Sequence, residues 1–137
     1  MPAALTVLYD EDCGFCRWAV AQLLAADRER RLAPEAIQSA AGQRLLAHLP
    51  PEERLAAAHA VDPGGRVFTG GDAVAPILRA LRGRRVEPAP LAAALPARLG
   101  YRLVAGSRGL LGRVLTTGMR ARATEAIARR RDQSPEG

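Results

Sequence analysis

The chain has 137 residues, of which 48% are apolar, a net charge of +6 and two cysteines. That length fits one domain able to bury a core without structural disulfides, so the cysteines are available for chemistry. Arginines interrupt every apolar run before it reaches membrane-spanning length, and the opening segment is too short for a secretory leader, so neither a membrane span nor a secretory signal is expected.

All twenty basic residues are arginine, beside abundant alanine, glycine and proline. We read this as the coding bias of a GC-rich bacterial genome more than as arginine chemistry. The charge is uneven: from Arg79 onward thirteen arginines face four acids, a balance of +9, while the first 78 residues carry −3. Aromatics are few, which suits helices packed through small residues, and helix is expected to outweigh strand.

Leu5-Thr6-Val7-Leu8-Tyr9 is an apolar, β-branched run of the kind found in a buried parallel strand. It leads into Asp10-Glu11-Asp12-Cys13-Gly14-Phe15-Cys16-Arg17-Trp18, with Asp12 as the expected cap of a helix beginning near Cys13. Phe15, Trp18, Ala19, Leu23 and Ala26 recur at three- and four-residue spacing, which predicts a helix to about Ala26 with Trp18 on its inward stripe.

Leu32 to Gln38 predicts a second strand, placed at an edge because Pro34 cannot donate a ladder hydrogen bond. Ser39 caps a second helix bearing Leu45, Leu46 and Leu49, and Glu52 to Ala57 adds another turn after Pro50-Pro51. Ala58 to Val61 and Arg66 to Thr69 form a hairpin about Asp62-Pro63-Gly64-Gly65. Val74, Ile77, Leu78 and Leu81 mark a third helix that stops around Gly83.

Beyond Gly83, Pro88, Pro90 and Pro96 are expected to separate short helical pieces. A broken apolar stripe of Leu99, Leu103, Leu110, Leu111, Val114 and Leu115 then runs on through about Ala128. The predicted fold is α/β, ordered β-α-β-α-β-β-α with a mixed four-stranded sheet over residues 1–83. A helical basic extension over 84–131 packs on that core, and a disordered tail covers 132–137.

Two cysteines separated by two residues at a helix start are a redox signature. The unpaired N–H groups there favour a thiolate, and the second thiol lies one turn away. Cys13 is the candidate nucleophile and Cys16 the resolving thiol, with Gly14 giving the loop backbone freedom to open and close. Asp10 is either a proton acceptor during exchange or a support of the motif, and Arg17 offsets the neighbouring carboxylates. Phe15 and Trp18 are alternatively an apolar rim for a docking partner. His59 reads as structural, and His48 has less claim still.

Two alternatives stand beside the redox reading. Cys-x-x-Cys is half of a zinc site, and two such pairs can hold an iron–sulfur cluster across a dimer, but no second cysteine pair exists and His48 and His59 lack the expected paired spacing, so no metal and no cofactor are expected. The basic C-terminal third suits contact with nucleic acid or an acidic surface. It lacks aromatic stacking motifs and a recognition-helix pattern, so a solvated face is the simpler reading, with weak peripheral contact to acidic surfaces and no specific nucleic acid.

The strand with Asp10-x-x-Cys13-x-x-Cys16, the Gln38-Ser39 pair, the Val61-Asp62-Pro63-Gly64-Gly65-Arg66-Val67-Phe68 hairpin and Tyr101-Arg102-Leu103-Val104-Ala105 together resemble the DCC family of predicted thiol-disulfide oxidoreductases. The resemblance implies a thioredoxin-like fold and thiol-disulfide exchange with a disulfide-containing protein or a small thiol. Thioredoxins set a cis-proline before the third strand, and here that stretch is Leu55-Ala56-Ala57-Ala58-His59. A monomer in a reducing cytoplasm is expected.

Overall fold

β1, Leu5–Tyr9, is the strand around which the rest is arranged. The computed structural model describes residues 3–88 and 90–133. In it β1 is flanked on one side by β2, Leu32–Ala36, and on the other by β3, His59–Val61, which pairs in turn with β4, Val67–Thr69. β2 runs parallel to β1, whereas β3 and β4 are antiparallel to their neighbours, so the four-stranded sheet is mixed. Pro34 lies in β2, at the sheet edge, where its missing N–H is tolerated.

Because side chains alternate along a strand, β1 feeds two cores. Leu5, Val7 and Tyr9 point into the larger one with Val20 and Leu24 of α1, Gly14–Ala26, and Ala80 of α4, Val74–Leu81. Leu8 points the other way, onto Ile37, Leu46 and Val61. This second face is covered by α2, Ala40–Leu45, and the turn after it, with α3, Pro51–Ala56, leading into β3. Ser39 caps α2 by accepting the Gly42 N–H at 2.9 Å, as its position before the apolar run predicts. A Cβ on Gly42 would lie 2.2 Å from the Ala36 carbonyl, so only glycine lets α2 start this close to β2.

The hairpin closes as expected, with Asp62 Oδ1 accepting the Arg66 N–H and Gly65 at φ +88°. A 3-10 turn over Gly70–Ala73 joins β4 to α4. The last three helices are α5, Leu91–Gly106; α6, Arg108–Val114; and α7, Thr117–Gln133. The described residues thus contain seven α-helices and a mixed four-stranded sheet. Among the described residues no helix is long and apolar enough to cross a membrane.

Four expectations are corrected. On α1 the buried residues are Val20, Ala21 and Leu24, while Phe15, Trp18 and Leu23 are only half-buried and Ala26 is exposed. α1 is gripped by both the sheet and α7, and the second partner rotates its buried face away from the stripe read for one partner. Pro96 does not divide the chain but lies inside α5, on the exposed side near its start, where the orphaned carbonyl meets water. Leu99, Leu103, Leu110 and Val114 do not pack on the domain, being 63 to 74% exposed. Finally, Asp132 and Gln133 are helical, their turn held by Arg130 on the buried Asp27; residues 134–137 of the expected tail lie outside the described residues.

Candidate active site

The chain leaves β1 at Tyr9 and turns over Asp10 to Asp12 before α1 begins. The helix cap is Cys13, not Asp12: Cys13 has extended backbone angles, and its Sγ accepts the Cys16 N–H at 3.2 Å. Asp12 is exposed, and its own N–H is held by Asp10 Oδ1 at 3.0 Å, an Asx-type turn that orients the loop. The same Asp10 oxygen accepts from Gln38 Nε2 at 2.7 Å, while Gln38 Oε1 accepts the Glu11 N–H at 3.1 Å. Gln38, just past β2, therefore clamps both sides of the turn that presents Cys13, and Asp10 shares in that clamp.

Both thiols are free and half-buried. Burial pushes the Cys16 thiol up to about 12, helped by the hydrogen bond and charge of Cys13, while Arg108 acts in the opposite direction through its charge and a hydrogen bond. Arg108 opens α6, more than ninety positions along the chain. Tyr101 of α5 approaches the same place: its hydroxyl accepts the Ala58 N–H at 2.7 Å, and its ionisation is raised by burial and, more weakly, by the two cysteines nearby. The stretch before β3 is thus met by a tyrosine from α5, and no cis peptide occurs among the described residues.

Phe15 and Trp18 form a tilted ring pair with centroids 5.9 Å apart beside the thiols. Arg17 donates to the Glu11 carbonyl and so ties α1 back to the loop. Gly14 contributes space: a Cβ there would come 3.3 Å from Arg120 Nε, so its absence lets the Arg120 side chain lie over the loop. Arg120 donates in turn to the Gly112 carbonyl of α6. A groove of about 440 Å³ results, running from Asp10, Asp12 and Cys13 to Arg17, Arg108, Arg113 and Arg120.

The two histidines lie elsewhere. His59 is buried, and because the Arg54 carbonyl at 2.9 Å can only accept, Nε2 carries the proton and Nδ1 accepts from Thr69 Oγ1 at 3.0 Å. Burial lowers its pKa, consistent with a neutral structural ring. His48 is exposed on the turn after α2. Among the described residues no three His, Cys, Asp or Glu side chains converge as metal ligands.

The family model for DCC1-like thiol-disulfide oxidoreductases matches residues 7–114, well over half of the chain. The chain belongs to that family. Neither the curated proteins nor the solved structures compared give a match. The DCC1-like match covers Cys13, Cys16, Gln38, Tyr101 and Arg108, so every residue shaping the thiol pair falls within it except Arg120, on α7.

In this DCC1-like chain the residues read directly from the motif, Cys13 to Trp18 and Asp10, do gather at one end of the sheet. Gln38, Tyr101, Arg108, Arg113 and Arg120 are the partners that motif reasoning missed. Gln38 and Tyr101 stand in segments that carry the family resemblance, which was the available signal for them. The arginines had none, since a charged run on a helix looks the same whether it faces water or a thiol.

Proposed function

We propose that the chain is a thiol-disulfide oxidoreductase of thioredoxin-like topology in which Cys13 attacks and Cys16 resolves. The observation that carries this reading is the Cys13 sulfur at the cap of α1, one hydrogen bond from the residue that bears the second thiol. The Cys13 thiolate attacks one sulfur of a substrate disulfide; a mixed disulfide forms, and the first substrate thiolate leaves and takes a proton from water. Cys16 then gives up its proton and attacks the Cys13 sulfur, closing the Cys13–Cys16 disulfide and releasing the second thiolate. Two thiols are oxidised and one disulfide is reduced, and a reductant of the thiol class must restore the pair.

The electrostatics support that order. In the reduced pair Cys16 stays protonated, as a waiting thiol should. Once Cys13 is in the mixed disulfide, it no longer opposes ionisation of Cys16 by its charge, and Arg108 is left acting against burial. Phe15 and Trp18 supply an apolar surface beside the exchanging sulfurs. We place this chemistry in a reducing cytoplasm, with a disulfide-containing protein or a small thiol as partner.

The test is a redox titration of the metal-free protein in glutathione buffers, with alkylation and mass analysis of Cys13 and Cys16. A reversible intramolecular couple between about −270 and −120 mV is expected, and Cys16→Ser should accumulate a mixed disulfide on Cys13. Absence of a Cys13–Cys16 disulfide at every poise would sink the reading.

A second reading concerns the outer face. Leu99 and Leu103 of α5 and Leu110 and Val114 of α6 stand exposed, with the exposed Arg102 next to Leu103 in sequence, apolar side chains in a basic segment suited to weak contact with an anionic lipid surface. Cosedimentation with phosphatidylglycerol vesicles, absent with phosphatidylcholine and weakened by salt, is the expected result. Equal binding to both lipids, or none to either, removes this reading.

A further inference from the structure

The groove at Cys13 has an unbalanced charge that the exchange chemistry alone does not need. Arg17, Arg108, Arg113 and Arg120 line it together with Asp10 and Asp12. Six arginines elsewhere form ion pairs, yet among the described residues none of these four does, although two carboxylates share their groove. Asp10 is engaged by Gln38 and the Asp12 N–H. Moreover Arg17 and Arg120 are anchored on backbone carbonyls, those of Glu11 and Gly112, which fixes two of the groove's guanidinium groups in place without neutralising their charge.

We propose that this groove recognises the carboxylates of a small acidic disulfide, so that the substrate class is a low-molecular-weight disulfide with anionic arms. This rests on the exchange reading above and specifies its substrate. A volume of about 440 Å³ is the size of a small-molecule site, and guanidinium groups are the side chains best matched to a carboxylate. Arg120 reaches the loop over Gly14 and is steadied by the Gly112 carbonyl, while Arg113 is an exposed member of the same lining. An acidic arm bound between them sets its disulfide against Cys13. Exchange then proceeds as written: the bound disulfide is reduced to two thiols, and the cysteine pair is oxidised.

The experiment compares the rates at which the reduced full-length protein is oxidised by glutathione disulfide, whose arms carry carboxylates, and by hydroxyethyl disulfide, which is neutral. Reading the ratio of the two rates cancels changes in thiol reactivity. The ratio should fall at least about tenfold in Arg113→Gln/Arg120→Gln, since each charge-assisted contact is worth about that factor. It should also fall with ionic strength in the wild type. Arg113→Gln alone, at an exposed position, should give part of the fall and covers the case in which the double variant does not fold. Arg82→Gln, an equal loss of charge at the end of α4, should leave the ratio unchanged. If both disulfides oxidise the protein and the groove variants leave the ratio as it was, the substrate proposal is overturned while the exchange reading stands. If neither forms a Cys13–Cys16 disulfide, the exchange reading fails and takes the proposal with it.

Discussion

α7 and the α5–α6 pair both follow the sheet-forming part of the chain, but they are fastened in opposite ways. α7 buries Ala123 and Ile127 on α1, and its Arg130 enters the interior to meet Asp27 at 2.6 Å, both side chains being largely shut off from water. α5 buries only Ala94, and α6 buries nothing. α5 is held by point contacts, the close approach of Gly71 to Arg98, the Tyr101 hydroxyl on the Ala58 N–H and an exposed Arg98–Asp72 ion pair, and α6 by the Arg120 side chain on its Gly112 carbonyl. The difference teaches that one helix completes the core, whereas the other two form a wall that brings Tyr101 and Arg108 near the thiols.

The strongest way to break this contrast is at Arg130. Arg130→Ala leaves Asp27 buried without its cation and also removes donors from the Leu32 and Leu24 carbonyls, so a loss of about 3 to 5 kcal/mol is expected in urea unfolding. A loss under about 1 kcal/mol would mean that α7 is not the anchor described. On the wall, Gly71→Ala is the corresponding lesion. Its Cβ would stand 2.4 Å from the Arg98 Cα, a backbone contact that cannot turn aside, so about 1 to 3 kcal/mol should be lost. Hydrogen exchange should then rise in α5 and not in α7; equal loosening of both would erase the distinction between them.

Proton linkage sharpens the comparison from inside the site. The folded protein holds Cys16 protonated up to about pH 12, whereas an ordinary thiol ionises near 9.0. The folded state therefore binds the extra proton between these values, and by linkage its stability is full below about pH 9 and declines as pH rises towards 12. Alkylation of Cys16, followed on its own peptide, should climb tenfold per pH unit through pH 10; a plateau near pH 9 contradicts the buried thiol. A smaller effect is expected at Tyr101→Phe, which deprives the Ala58 N–H of its acceptor at a cost of about 1 kcal/mol. Because the ring remains against Gly70, the fold should survive, and a loss well above that figure in urea unfolding would contradict this account of the contact.

What was legible in the sequence was what short-range chemistry decides. The apolar run of β1, the Ser39 cap, the edge placement of Pro34 and the glycine turn after Asp62 each follow from neighbours a few residues apart. The same holds for the thiol pair at the start of α1. Asp12 was misread as the cap because a cysteine sulfur is a poor acceptor by type, yet it is the Cys13 sulfur that accepts the Cys16 N–H, and the loop before it is held by Asp10 and the distant Gln38. Tyr101, Arg108 and Arg120 act across sequence separations near or beyond forty residues, where neither period nor propensity carries a signal. The outward leucines misled for a related reason: a stripe at helical spacing states that a helix has an apolar face, not what that face meets.

Those leucines give the smallest expected effect and the finest test of the contrast. Leu103 is 74% exposed, so Leu103→Ser removes little buried area and should alter unfolding stability by no more than about 0.5 kcal/mol. A buried leucine of the larger core behaves otherwise: Leu24→Ala should cost about 2 to 5 kcal/mol. If Leu103→Ser is as damaging as Leu24→Ala, the outer face of α5 is packed in solution and the wall is part of the core. If stability holds while binding to anionic vesicles falls, the leucine belongs to a contact surface, and the helices that shape the thiol site on one side present a docking face on the other.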